Sequence, residues 1–145
     1  MDQKDFTRRT AHLLHRAYEL NQKGRKQGLW ELESCIDAAG LKNRDIFELG
    51  IKLAADGLGA EQIKNILSNL VEQERNETAK RFKTLQMTAA ICAQEGTASW
   101  ILFNIIFSLV DDSDKKEVQK HLKDNVFKDY FEMYGSGSSV ELLRA

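Results

Sequence analysis

Hydrophobic positions recur at three- and four-residue steps along almost the whole chain. That is the period of an amphipathic α-helix, and no stretch alternates as a strand does. Phe6, Thr10, Leu13, Leu14, Ala17, Tyr18 and Leu20 form the first stripe and predict a helix over about 5–23. Gly24 and Gly28 either interrupt it or mark a place where another backbone comes close. The pattern resumes from Leu29 to Ala39, with Gly40 as the C-cap. Asn43 is placed to cap the next helix, whose apolar set is Ile46, Phe47, Leu49, Ile51, Leu53 and Ala54 and which Gly57 and Gly59 close. From Ala60 a single long helix is predicted. Ile63, Ile66, Leu67, Leu70 and Val71 make its stripe, EQERNETAKR is a partly projecting, solvated stretch, and Phe82 and Leu85 return to the core.

The most apolar segment is GTASWILFNIIFSLV, Gly96 to Val110. At about 15 residues it falls short of the roughly 20 that a membrane span needs. Glu95 and Asp111 bound it, so it reads as a buried core helix without stable membrane insertion. Asp111, Asp112 and Asp114 offer N-caps and negative charge to a last helix over about 114–134. That helix carries Val118, Leu122, Val126, Phe127, Tyr130, Phe131 and Tyr134, and GSGSS follows as a flexible linker. The sum is an all-α protein. It has a single helical domain over 1–134, five to six helices in a compact bundle with one long, partly projecting helix, and a short flexible tail over 135–145.

Composition changes the picture mainly by exclusion. A chain of 145 residues is one domain's worth and can bury a sizeable core. The formal net charge of -1 lacks the basic excess of a nucleic-acid binder, so no nucleic acid is expected. With 42% hydrophobic and 30% charged residues the chain is too apolar to stay disordered. Cys35 and Cys92 are too few for a disulfide framework and read as reduced thiols in a cytoplasmic protein. The N-terminal MDQKDFTRRT has no apolar core of a secretory signal. Proline is absent, so nothing forces a helix to break.

Candidate chemistry is sparse. His12, His15 and Glu19 have the spacing H-x-x-H-x-x-x-E on adjacent turns of one helix, a credible half of a zinc or iron site. The commoner reading is a solvated helix face, and His121 is the only other histidine, so neither metal nor cofactor is expected. No H-E-x-x-H, G-x-x-x-x-G-K-[ST], G-x-G-x-x-G, G-x-S-x-G or C-x-x-C motif occurs, so no enzyme activity is expected. Phe127, Tyr130, Phe131 and Tyr134 step by three and four, either as the core face of the last helix or as an interface. Trp30, close to two glycines, is core or contact surface.

Residues 21–67 are more specific. Arg25, Lys26, Gly28, Leu29, Leu32 and Glu33 spell R-K-x-G-L-W-x-L-E. Phe47, Gly50, Leu53, Asp56 and Gly57 follow, then a helix carrying Glu61, Ile63, Ile66 and Leu67. The two blocks together resemble the cytoplasmic domain of the bacterial flagellar stator A subunit, the MotA family. Its pattern is R-[KR]-E-G-[LM]-[LF]-x-L-E, then a block ending in Asp-Gly. The likeness covers about residues 18–82.

The family's channel prolines cannot exist here, and only about 20 residues precede Arg25 where the family has two membrane helices. The resemblance therefore implies a soluble, divergent relative that lacks those helices and conducts no ions. It implies partners at the flagellar motor, either the rotor switch protein (FliG family) or stator units, and a peripheral location there. Arg25 and Glu33 stand where the family carries its rotor-engaging charges, with Lys26 and Trp30 beside them. On a continuous helix they would lie about 12 Å apart on roughly one face, too far to neutralise each other. Ordinary surface ion pairing is the competing reading for both. A monomer or homodimer is expected, a dimer using either the aromatic series or the Trp100–Phe107 face. A generic all-α adaptor or regulator unrelated to motility is the alternative.

Overall fold

The computed structural model describes residues 1–122 and Phe127. Every regular element among them is helical: α1 (Gln3–Gln27), a 3-10 helix (Leu29–Cys35), α2 (Ala38–Lys42), α3 (Ile46–Ala55), α4 (Ala60–Glu72), α5 (Glu77–Glu95), α6 (Ser99–Ser108) and α7 (Asp112–His121). The all-α reading holds, with more and shorter elements than the five to six expected.

α1 starts earlier than the apolar stripe suggests because Asp2 caps it, its carboxylate accepting from the Asp5 amide at 2.8 Å. It also runs through Gly24. Gly28, at φ 95°, ends it, a conformation that costs a side-chain-bearing residue about 1 kcal/mol or more. Gly24 lies within the helix, and the buried Leu32 packs against it, so it marks a close approach and not a break.

The segment after Gly28 forms a tight 3-10 turn rather than the expected α-helix to Ala39, and Gly40 lies inside the short α2 rather than capping it. Asn43 is the C-cap of α2, not the N-cap of the next helix. Asp45 takes that role, its carboxylate accepting from the Glu48 amide at 3.0 Å.

The single long helix expected from Ala60 is two helices. Glu74 accepts from the Arg75 and Asn76 amides at 2.9 and 3.1 Å, and Asn76 then caps α5 by accepting from Ala79 N–H at 2.8 Å. Two side chains thus satisfy the turn's donors, and α5 folds back on α4 instead of projecting. The Asn76 and Lys83 interactions hold the Glu74 carboxyl below its ordinary value.

α5 is the central element, packed on α1, α3 and α4 and touching α6. It comes closest to α3 at Gly50, where a β-carbon would lie 2.4 Å from that of Ala90. Gly96, left-handed at φ 67°, ends α5. α6 is the apolar helix anticipated for 97–110, and α1 holds its entrance. Asn21 Nδ2 donates to the Thr97 carbonyl at 2.6 Å and Gln22 Nε2 to Ser99 Oγ at 2.8 Å.

Arg81 stacks over Phe6 at 4.7 Å and pairs with Asp111 at 3.0 Å, tying α5 to α1 and to the start of α7. No helix among the described residues is long and apolar enough to cross a membrane. α7 ends at His121 with Leu122 as its C-cap, and the remainder of the helix expected over 114–134 lies, apart from Phe127, outside the described residues.

Cys92 is buried in the core and its thiol is pushed up by that burial; Cys35 is half-buried, and neither is in a disulfide. With Ellman's reagent at pH 8, Cys35 should react first, and Cys92 only as the chain unfolds. Equal rapid release of both thiols from the folded protein would contradict the packing of α5.

Candidate functional site

The resemblance directs attention to the bend where α1 meets the 3-10 helix. Arg25 and Lys26 lie in the last turn of α1, where cations face the negative end of the helix dipole. Both are exposed, and among the described residues neither forms an ion pair.

Gly28 redirects the chain, so the eight-residue helical spacing between Arg25 and Glu33 does not hold. The expected single face is replaced by two elements meeting at an angle. Glu33, too, is engaged rather than uncommitted: it accepts from Lys52 Nζ at 2.7 Å. Lys52 bonds Asp56 at 3.0 Å as well, and the Glu33 and Asp56 bonds hold its ammonium above the ordinary value. The competing reading of Glu33, an ordinary surface pair, is therefore what forms, whereas Arg25 forms no such pair among the described residues.

Trp30 is the most exposed of the large apolar side chains described, at 69%. Its backbone is nevertheless well held. Leu32, two residues on, is 0% exposed, and Arg16 donates to the Cys35 carbonyl at the end of the same turn. The 3-10 helix packs on both α1 and α3. A large aromatic ring is thus exposed to solvent on a turn packed against the core, a few residues after Arg25 and Lys26 in sequence.

The other candidate residues are dispersed. His12 is exposed, Glu19 is exposed, and His15 packs edge-on against Phe127 at 4.9 Å. Among the described residues no group of three or more His, Cys, Asp or Glu side chains is arranged to hold a metal ion. Phe127 is 1% exposed, packed against His15, Tyr18 and Phe103. It is core, and so is not an anchor for a partner. Tyr130, Phe131, Tyr134 and the 135–145 tail lie outside the described residues. On α6, Phe103, Ile106 and Phe107 turn inward, which leaves Ile101, and Leu109 at the helix's C-cap, as exposed apolar positions.

No protein-family model matches this chain, and no curated protein or solved structure matches it either. The stator-like reading rests on the residues of the two blocks.

Sequence reasoning did not single out the surroundings of Arg9. This arginine lines a cleft with His12, Phe47 and Phe82, which come from three helices. The available signal was the pair of adjacent arginines, Arg8 and Arg9, on the polar side of an otherwise apolar-faced helix.

Proposed function

We propose that this chain is a non-enzymatic helical interaction module whose docking surface is the bend between α1 and the 3-10 helix. Trp30 is its anchor, and Arg25 and Lys26 supply the charge. The observation that carries the reading is the exposure of Trp30 on a turn fixed by Leu32 beneath it. A preordered aromatic loses little freedom on binding, which is why such side chains dominate interface energetics. The two cations add steering toward an acidic partner surface and orient the encounter. The stator-like blocks support a partner at the flagellar motor, with the rotor switch protein first and stator units second. Glu33 in this reading is a positioning residue that braces the turn through Lys52.

Co-purification from the native cells with Trp30→Ala and Arg25→Glu variants tests it. Rotor or stator components should accompany the parent chain. Trp30→Ala should weaken recovery at least tenfold, as truncating a hot-spot aromatic costs about 2 kcal/mol or more. Arg25→Glu should weaken it several-fold, more so at low salt. Both side chains are exposed, so thermal stability should not change. Undiminished recovery by both variants would overturn this docking surface, and recovery of no motor protein would overturn the motor assignment.

A further inference from the structure

The reversal between α4 and α5 uses none of the residues that ordinarily turn a chain. Glu72, Gln73, Glu74, Arg75, Asn76 and Glu77 include neither glycine nor proline. None of them has a positive φ. Gln73 still lies in the right-handed helical region, at φ -74° and ψ -17°. Asn76, at φ -76° and ψ 120°, departs from helix in ψ alone.

A small set of side-chain bonds therefore separates the two helices. Glu74 and Asn76 take the Arg75, Asn76 and Ala79 amides. Two ion pairs close over the turn, Glu72 with Lys80 at 3.3 Å and Glu74 with Lys83 at 3.0 Å. All of these side chains reach solvent, where such contacts are individually weak. Straightening the turn would cost these bonds and gain the backbone bonds of one helix over 60–95, roughly 54 Å long. That is the single helix the sequence pattern predicts.

Such a helix cannot keep both halves of one chain together. α5 packs on α1, α3 and α4, and its Phe82, Leu85, Ala89, Ala90 and Ala93 belong to the shared core. Carrying α5 away, with α6 and α7 behind it, would bare that core to water. The surfaces that fit it are those of α1–α4 in a second copy, which has lost the same cover. Exchange would rebuild each interhelical contact between copies and leave only residues 73–76 in a new conformation.

We propose that the α4–α5 reversal is a hinge, and that its straightening lets two copies of this chain exchange α5–α7 to form a swapped dimer. Monomer and dimer then differ chiefly at the hinge, and concentration decides between them. Conversion opens the core, so it is slow in the cold and proceeds on heating. The bend carrying Trp30 lies wholly before the hinge, within α1 and the 3-10 helix, so the two readings stand or fall separately.

Annealing of the concentrated full chain tests the hinge: heating to the thermal midpoint, cooling, then size exclusion with light scattering. The parent should yield a dimer that persists on dilution in the cold. Asn76→Ala removes the cap of α5 and supplies a better helix former. With two hinges per dimer, it should raise the dimerisation constant about tenfold or more.

Glu77→Pro should lower that constant at least a hundredfold. Residue 77 is the first of α5, where proline is well accommodated, and the extended Asn76 has the conformation that precedes a proline. In the straightened helix the same proline would stand mid-helix in both copies. The Glu77→Pro monomer should therefore melt as the parent does. In dimers of one isotope-labelled and one unlabelled copy, the close approach of Gly50 to the Ala90 methyl should appear between copies.

Absence of a dimer from both the parent and Asn76→Ala would overturn the proposal. So would a Glu77→Pro protein that dimerises as the parent does, or a dimer in which the Gly50–Ala90 contact stays within each copy.

Discussion

Gly50→Ala should lower the thermal midpoint by roughly 4–8 °C, although alanine is the better helix former. In an exposed helix the exchange gains about 1 kcal/mol. Here the new methyl would sit 2.4 Å from Ala90 Cβ and 3.0 Å from Leu67 Cδ1, distances that α3 can only meet by moving away from α5. Overpacking of this kind costs about 1–3 kcal/mol, and a backbone-to-backbone crossing lies at the upper end because no flexible side chain can yield. The net loss of about 2 kcal/mol corresponds to the stated shift for a chain of this size.

The decisive control is Ala90→Gly. Alone it should destabilise, since it removes a buried methyl and loosens α5. On the Gly50→Ala background it should stabilise, because it clears the nearer clash. If Ala90→Gly destabilises by the same amount in both backgrounds, the close crossing of α3 and α5 is wrong.

Arg16→Met has an equally large expected effect through charge rather than shape. Glu48 keeps only the Asp37 amide when Arg16 is removed, and its side chain is 8% exposed. An ionised carboxylate left in that position costs about 3–5 kcal/mol. The Cys35 carbonyl loses its donor as well, which frees the end of the 3-10 helix. Urea unfolding should show a fall of about 3 kcal/mol for Arg16→Met. Adding Glu48→Leu should recover more than half of it, since the buried charge is then gone. A double variant no more stable than the single one would show that Arg16 acts by packing its stem and not by neutralising Glu48.

The helical fold was legible because its signal is local. Apolar residues at three- and four-residue steps mark α1, α3 and α4 wherever one face is buried. α6 was legible as a buried helix from its length and its acidic borders. What periodicity does not carry is where a helix stops when every residue favours helix. EQERNETAKR consists largely of such residues, and the chain breaks there because Glu74 and Asn76 side chains take over the backbone donors.

The Asp45 cap was present in the sequence as D-I-F-E, an acidic cap with Glu three residues on. Asn43, two residues earlier, is also a residue type that caps helices, so residue type alone does not separate the two. Even so, the pattern would have misled in one respect: Glu48 does not fold back on its cap but reaches across to Arg16 on α1.

Sites were less legible than elements for the same reason. Trp30 announced itself by its neighbours, but only the packing of Leu32 shows that the ring points outward from a fixed turn. The Arg25–Glu33 spacing presumed a continuous helix, and Gly28 broke it. The cleft beside Arg9 is made of residues as far apart in sequence as His12 and Phe82, so no local motif could mark it. His12 and His15 looked like one cluster by spacing, yet His12 lines the cleft and His15 packs on Phe127.

The docking role of the bend is the central claim, and fluorine NMR of the chain labelled with 5-fluorotryptophan tests it most directly. Two resonances are expected, from Trp30 and Trp100, and a Trp100→Phe variant assigns them. In the free protein the Trp30 resonance should respond strongly to exchange of H2O for D2O, as befits an exposed ring. On titration with purified rotor switch protein, Trp30 should shift and broaden and lose that solvent response, while Trp100 stays in place. A Trp30 resonance that keeps its position and its solvent response at saturating partner would contradict the account.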